Sequence, residues 1–334
     1  MLNGVINVYK EKGYTSHDVV AKMRGIFRQK KIGHTGTLDP DAEGVLPVCL
    51  GNATRLSDYL TDKTKCYRAV LLLGVTTDTQ DSSGQVLSER PVDCTEEALR
   101  ETAAAFLGPQ LQVPPMYSAL KVNGKKLVDL ARRGIEVERK PRPVEILELT
   151  VEEVTLPRAV LTVRCSKGTY IRTLCHDIGE RLGTGGCMES LLRLSTGGFS
   201  LENAHRLKEL EEAVQAGEPE RYLLPTDACL KEYPALSGTA EADRFLLNGN
   251  PVSAELLEEL DSAAAPNLQS EEPRPEERSA AEPQTEERQT AEPRPEACRV
   301  YDSRGRFIGL YRFEEGNENR PDRYRPVKLF LPES

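Results

Sequence analysis

The chain is short of the signatures that announce a chemistry. Its eight cysteines include no Cys-x-x-Cys pair, which argues against a zinc site, a redox dithiol or a disulfide framework and fits a reduced, cytoplasmic setting. Its four histidines, His17, His34, His176 and His205, show no His-x-x-x-His spacing, so no metal site is expected. There is no P-loop and no dinucleotide-binding glycine fingerprint. No apolar run exceeds the five residues Ala69 to Leu73, far short of the ~20 needed to span a bilayer. The N-terminus also lacks the ~7–15-residue apolar core of a secretory signal.

A net charge of −9 on 334 residues argues at first against an acidic partner such as nucleic acid, but its distribution reverses that reading. Residues 251–297 hold thirteen acids and four arginines, so the whole deficit lies there and the remainder is formally neutral. Residues 1–35 carry seven Lys/Arg against two acids, and 121–143 carry eight against three. Either stretch suits phosphates, although ordinary solvated faces look the same in sequence. Glu272-Pro273, Glu282-Pro283 and Glu292-Pro293 mark a ten-residue repeat. Such a composition cannot bury enough apolar surface to offset its ordering entropy, so about 262–297 reads as a disordered insertion. The length predicts two domains, and short apolar runs such as Phe245-Leu246-Leu247 and Phe307 to Tyr311 suggest that the second is small and β-rich.

What the chain does possess is a dense loop, Gly33-His34-Thr35-Gly36-Thr37-Leu38-Asp39-Pro40, running on to Gly44 and the apolar Val45 to Leu50. Loops that concentrate carboxylate, imidazole, hydroxyls and glycines beside a buried strand carry chemistry more often than packing, although a plain turn uses the same residues. Pro40 restricts Asp39 to extended geometry. Thr15 to Arg28 reads as an amphipathic helix with Thr15 and Asp18 as a capping box. Residues 65–75 read as a strand, and Thr95 to Leu107 as a helix stopped by Gly108-Pro109. Val160 to Cys165 alternates as a half-buried strand, leading through Ser166 to Tyr170 into a helix with Ile171, Leu174, Cys175, Ile178 and Leu182 on one stripe. Strands and helices are mixed rather than strictly alternating.

Several constellations fail on geometry. Ser16-His17-Asp18 are adjacent, whereas a catalytic triad is assembled from separated positions, and Cys175-His176 on a helix places a base poorly for activating a thiol. What remains is the lone carboxylate Asp39, with Tyr67, Tyr170 and Arg172 as companions of unassigned role. An ion pair between Arg172 and Asp39 would favour the carboxylate and lower its pKa. No second carboxylate stands out as a partner for glycosidase chemistry.

Four segments in order resemble the bacterial TruB family of tRNA pseudouridine(55) synthases. They are the Gly33 to Leu46 loop, Lys65-Cys66-Tyr67-Arg68, Met116 to Lys121, and Cys165 to Arg172. The resemblance implies an α+β pseudouridine-synthase fold, with a mixed, largely antiparallel central sheet flanked by helices. It implies a catalytic domain over 1–227 and a β-rich PUA-like RNA-binding domain over 228–334, interrupted by the acidic insertion. By the same similarity Asp39 is the catalytic aspartate, Arg172 pairs with it, Tyr67 packs on the flipped base, and Tyr170 and Leu191 shape the pocket. His34 would fill the space the T-loop base vacates. The basic segment, about 121–143, would follow the RNA backbone with Lys121, Lys125, Lys126, Arg132 and Arg133. Val128 departs from the family's frequent tyrosine.

The implied partner is the tRNA T-arm, with no cofactor, no metal, no membrane, no obligate protein partner, and a monomeric chain. The reaction is an isomerisation, so the missing cofactor motifs agree with it, and base-modifying enzymes hold an extruded base among aromatic and apolar side chains. Two other readings compete. The PUA-like part and the basic stretches would suffice for a tRNA-folding chaperone acting independently of catalysis, and the His34/Asp39 loop would suit a metal-dependent hydrolase.

Overall fold

The computed structural model describes residues 1–61, 63–260, 297–318 and 320–331. The expected insertion at about 262–297 lies outside them except for Ala297. The described chain divides into two compact units, Met1–Leu224 and Pro225–Ser334. Among the described residues no helix is long and apolar enough to cross a membrane.

The first unit is organised by one sheet, of nine strands among the described residues. Its main path runs Gly4–Lys10, Glu43–Leu50, Gly186–Thr196, Lys65–Leu73, Arg158–Cys165, Arg142–Thr155, Gly108–Gln112. Every neighbouring pair on that path is antiparallel except Gly186–Thr196 with Glu43–Leu50, which meet in parallel at Leu192↔Glu43 and Arg193↔Gly44. The alternation anticipated for Val160 to Cys165 holds, with Ala159, Leu161, Val163 and Cys165 turned inward. The 65–75 segment is divided: Lys65–Leu73 is a sheet strand, and after Gly74 the chain enters a separate hairpin, Val75–Thr77 with Val86–Glu89.

Two apolar clusters hold helices to this sheet. Helix Ser16–Ile26 starts at Thr15, whose hydroxyl accepts from the Asp18 amide at 3.1 Å while the Asp18 carboxylate accepts from the Thr15 amide at 2.8 Å. It buries Val19, Val20 and Met23 against Ile6, Val8, Leu46 and Val48. Helix Ile171–Arg181 buries Ile171, Leu174, Cys175 and Ile178 against Leu71, Leu161 and Val163. Each such side chain contributes about 1.5–3 kcal/mol. The Thr95-capped helix ends at Ala104, and Gly108-Pro109 opens the terminal strand rather than merely stopping the helix. An edge strand tolerates Pro109 because the missing N–H faces away from the ladder.

The second unit is a six-stranded sheet among the described residues, in the order Val252–Ser253, Arg323–Leu329, Phe307–Glu314, Cys298–Tyr301, Ala235–Gly238, Leu257–Leu260. Leu236, Leu246, Val300, Ile308 and Tyr311 share its core. Leu246 enters that core from a short helix, Asp243–Leu246, so the Phe245-Leu246-Leu247 run is not a strand. The domain is β-rich and consistent with a PUA-like module.

At the parallel seam Gly44 adopts φ +104, and a Cβ there would lie 2.3 Å from the Arg193 carbonyl oxygen. Both the backbone conformation and the contact exclude a side chain. Gly44→Ala is therefore expected to destabilise the protein by more than Thr15→Ala, whose lost cap costs about 1 kcal/mol. Urea unfolding midpoints of the two variants check the order.

Candidate active site

The Asp39 loop is secured from several directions. Leu38 donates its amide to the Ser16 hydroxyl oxygen at 2.9 Å, Gly13 donates to the Pro40 carbonyl at 2.9 Å, and the Thr61 hydroxyl donates to the Thr35 carbonyl at 2.7 Å. Beneath it lie two fully buried cations. Lys10 Nζ donates to Pro40 O at 3.1 Å and Ala42 O at 2.5 Å. Arg193 Nε donates to Val45 O at 2.6 Å and its Nη2 to Gly36 O at 3.3 Å. Among the described residues neither cation has a carboxylate within ion-pair distance. Burial pulls the Lys10 ammonium down to about 8, against the charges of Asp39 and Glu43.

Arg172 stands in the first turn of helix Ile171–Arg181, where it is 5% exposed. Its Nε meets Asp39 Oδ2 at 3.0 Å and its Nη2 meets Oδ1 at 3.2 Å, a bidentate pair. The same guanidinium donates to Thr79 O at 3.0 Å and Tyr117 O at 2.8 Å, and stands 3.5 Å from Asp81. Asp81 in turn accepts from the Thr79 and Ser83 hydroxyls. The Arg172 planar fork is thus fully engaged, which fixes the orientation of the carboxylate.

The net effect on Asp39 differs from the sequence expectation. Although 36% of its side chain is open, burial of the carboxyl raises its pKa above the ordinary range, Arg172 opposes that, and the nearby Asp81 charge reinforces it. Desolvation disfavours the anion more than one shared arginine favours it.

Asp39 and Arg172 open onto a cleft of about 450 Å³, also lined by Tyr117, Val128, Arg132 and Leu191. That volume suits a small organic group such as one base with its sugar. Tyr67 does not line it. The Tyr67 side chain is 8% exposed, and burial raises its pKa, opposed by Arg193. Tyr170 caps the Arg172 helix, with its amide donating to Gln112 Oε1 at 2.8 Å. His34 lies on the same loop as Asp39, its ring 5.2 Å from that of His17. Its Nδ1 accepts the Gly36 amide at 3.3 Å, so the proton is on Nε2.

The basic segment folds as a hairpin, Lys121–Val122 with Lys125–Lys126, followed by helix Leu127–Ala131. Asn123 (φ 50) and Gly124 (φ 80) form its turn, the conformation that Asn-Gly adopts at least cost. Leu127 and Leu130 bury against Met116 and Tyr117, leaving Lys121, Lys125, Lys126, Arg132 and Arg133 exposed. None of these five has a carboxylate within ion-pair distance among the described residues.

Two family models cover much of the chain: TruB family pseudouridylate synthase (N terminal domain) over residues 24–171, and tRNA pseudouridylate synthase B C-terminal domain over 172–231. The chain belongs to the TruB family. The tRNA pseudouridine synthase B of Lachnoclostridium phytofermentans is 48% identical across 99% of this chain and 100% of its own length. That of Alkaliphilus oremlandii is 45% identical across 77% of this chain and 85% of its own. Among solved structures, a chain of a Cbf5-Nop10-Gar1 complex matches with a TM-score of 0.67 at 24% identity, over 98% of this chain and 85% of that one, a likeness of fold. TruB membership makes this chain a pseudouridine synthase and bears out the resemblance read from its four segments.

Sequence reasoning missed Lys10, Arg193 and Asp81. The first two carried a signal. Lys10 follows Ile6 and Val8 on the inward phase of its strand, and Arg193 follows Leu191 on the inward phase of its own. A cation in an apolar phase marks an interior task.

His34 yields a test. Burial, His17 and Arg193 lower its pKa from 6.5 to about 4. As pH falls the unfolded chain binds this proton first, so the contribution destabilises the fold progressively from about 6.5 down to about 4. The loss of urea midpoint between pH 7 and pH 4.5 should be smaller in His34→Gln than in the parent.

Proposed function

We propose that this chain isomerises uridine to pseudouridine at position 55 in the T loop of tRNA, with Asp39 as the catalytic carboxylate. The observation that carries the reading is the bidentate Asp39–Arg172 pair opening onto a cleft of nucleotide size, in a chain whose relatives are named tRNA pseudouridine synthase B. In the reaction the N1–C1′ bond breaks, the uracil rotates, C5 bonds to C1′, C5 loses its proton and N1 gains one. Atoms and electrons balance without redox or hydrolysis, so the chemistry requires no cofactor or metal. Whether the carboxylate adds to the ribose, adds to the base, or serves as a base toward a glycal, it must be ionised. Arg172 supports that state in a site whose burial works against it.

Loop nucleotides are splayed more readily than paired ones. The uracil would enter the cleft beside Leu191, with His34 occupying the place left in the T loop and Tyr170 standing at the start of the Arg172 helix. Lys121, Lys125, Lys126, Arg132 and Arg133 would take phosphates, and the PUA-like unit would hold a further part of the tRNA. Val128 offers apolar contact at the cleft wall.

Asp39→Asn should abolish proton release from C5 of uridine while tRNA affinity changes by less than about threefold, or about 0.7 kcal/mol. Continued turnover by that variant rejects the assignment. Arg172→Gln removes the main influence lowering the Asp39 pKa, so the acid limb of its single-turnover rate should move to higher pH, read from a rate profile. Lys125→Ala/Lys126→Ala should weaken tRNA binding and flatten its log–log salt dependence by about 1–2 in slope. The rate at saturating tRNA should be kept.

A further inference from the structure

Residues 1–35 carry seven Lys/Arg against two acids, an excess that the site around Asp39 absorbs only at Lys10. Two of the remaining cations, Arg28 and Lys30, stand where helix Ser16–Ile26 hands over to the strand Ile32–His34. After the Phe27 cap the backbone of Arg28 is left-handed, at φ +48. Arg28 N donates to Gly25 O at 3.4 Å and Gln29 N donates to Arg24 O at 3.3 Å. That pair of bonds is a Schellman termination, whose left-handed position is usually glycine, because a Cβ is strained there. An arginine thus occupies a place where the fold by itself would do better without a side chain.

The turn that follows is held rigidly. Gln29 is 8% exposed, and its side-chain amide pairs with the Leu2 backbone in both directions: Leu2 N donates to Oε1 and Nε2 donates to Leu2 O, each at 2.9 Å. Gly51 N donates to Lys31 O at 2.8 Å, and Arg24 Nη2 donates to Ile32 O at 3.2 Å. With Gln29 locked inward, Arg28 and Lys30 are exposed on either side of it. Neither side chain has a hydrogen-bond or ion-pair partner among the described residues. Cations presented on a fixed backbone and left unpartnered suit a polyanion outside the chain. Their place follows from chain length, since four residues separate Lys30 from His34 and the two backbones lie at most about 14 Å apart.

We propose that Arg28 and Lys30 form a phosphate-binding site of their own, which grips the backbone of the tRNA T-arm beside the loop that His34 enters. This rests on the reading of the T loop as the partner of His34, and it adds to the basic hairpin a contact from a different part of the catalytic unit. An RNA whose loop lies at His34 carries its flanking phosphates within reach of both side chains. Phosphate contacts hold no sequence information and fix register instead, so this pair sets how the arm lies over the cleft. The left-handed Arg28 is then a point at which stability is given up for binding.

Substitutions of opposite sign in the full chain test it, with urea midpoints and affinity for an isolated T-arm hairpin measured side by side. Arg28→Gly relieves the backbone and should raise the midpoint. The same change should weaken hairpin affinity by more than about threefold at moderate salt and flatten its log–log salt dependence by about 1 in slope. Arg28→Lys keeps the charge and should hold affinity within about threefold of the parent. Adding Lys30→Ser to Arg28→Gly should flatten the slope by about 1–2 in all. Unchanged affinity and slope in Arg28→Gly would overturn the proposal while leaving the proposed function standing. So would a loss seen with full-length tRNA but not with the hairpin, or a fall in midpoint alongside the loss of affinity, which would assign Arg28 to the fold. A parent protein that binds neither RNA would overturn the proposed function as well.

Discussion

A carboxylate withdrawn from water needs a cation that cannot leave, and that requirement organises the catalytic unit. Asp39 meets it through the Nε–Nη2 edge of Arg172, which is itself locked by the Thr79 and Tyr117 carbonyls and by the proximity of Asp81. Those partners come from two parts of the chain, the hairpin turn after Thr77, which supplies Thr79 and Asp81, and the segment leading to the basic hairpin, which supplies Tyr117, while Arg172 belongs to the helix that begins at Ile171. The ion pair is therefore a junction where these segments are tied together. Asp81 draws on the same guanidinium and leaves Asp39 less stabilised than an exclusive pair would.

The support beneath the loop follows a different logic. Lys10 and Arg193 are cations that use backbone carbonyls rather than carboxylates as partners. Carbonyls cannot be protonated or exchanged for another residue's charge, so these attachments do not compete with Asp39 for a carboxylate. The cations also leave a positive field under the loop that favours an anion above it, which suits both Asp39 and the phosphates of an approaching nucleic acid.

Much of this was legible in the sequence because the relevant signals are local or ordered. The Thr15–Asp18 cap, the alternation ending at Cys165 and the apolar stripe from Ile171 all produced the elements expected, and the loop around Asp39 advertised itself by composition. The meeting of Asp39 with Arg172 depended on four segments appearing in order, since no periodicity links residues so far apart. Other features resisted for physical reasons. Pro109 opens a strand because an edge leaves one side of the backbone unpaired, and no local pattern distinguishes an edge. Leu246 reads equally well as strand or helix core. The sign of the Asp39 shift turned on how deeply the carboxyl is buried and on Asp81, neither of which spacing reveals.

The parallel seam between Glu43–Leu50 and Gly186–Thr196 has a consequence for biosynthesis. Arg193 reaches Val45 across 148 residues of chain, whereas most of the surrounding ladder is built from strands that lie closer in sequence. During translation the loop that holds Asp39 is complete long before its anchor has been made. A chain that has emerged only as far as the Arg172 helix can contain both members of the ion pair and still lack the strand that holds the loop's two ends. The attachment of that loop to the sheet is thus completed only late in the synthesis of the catalytic unit, a long-range contact that forms after the local ones.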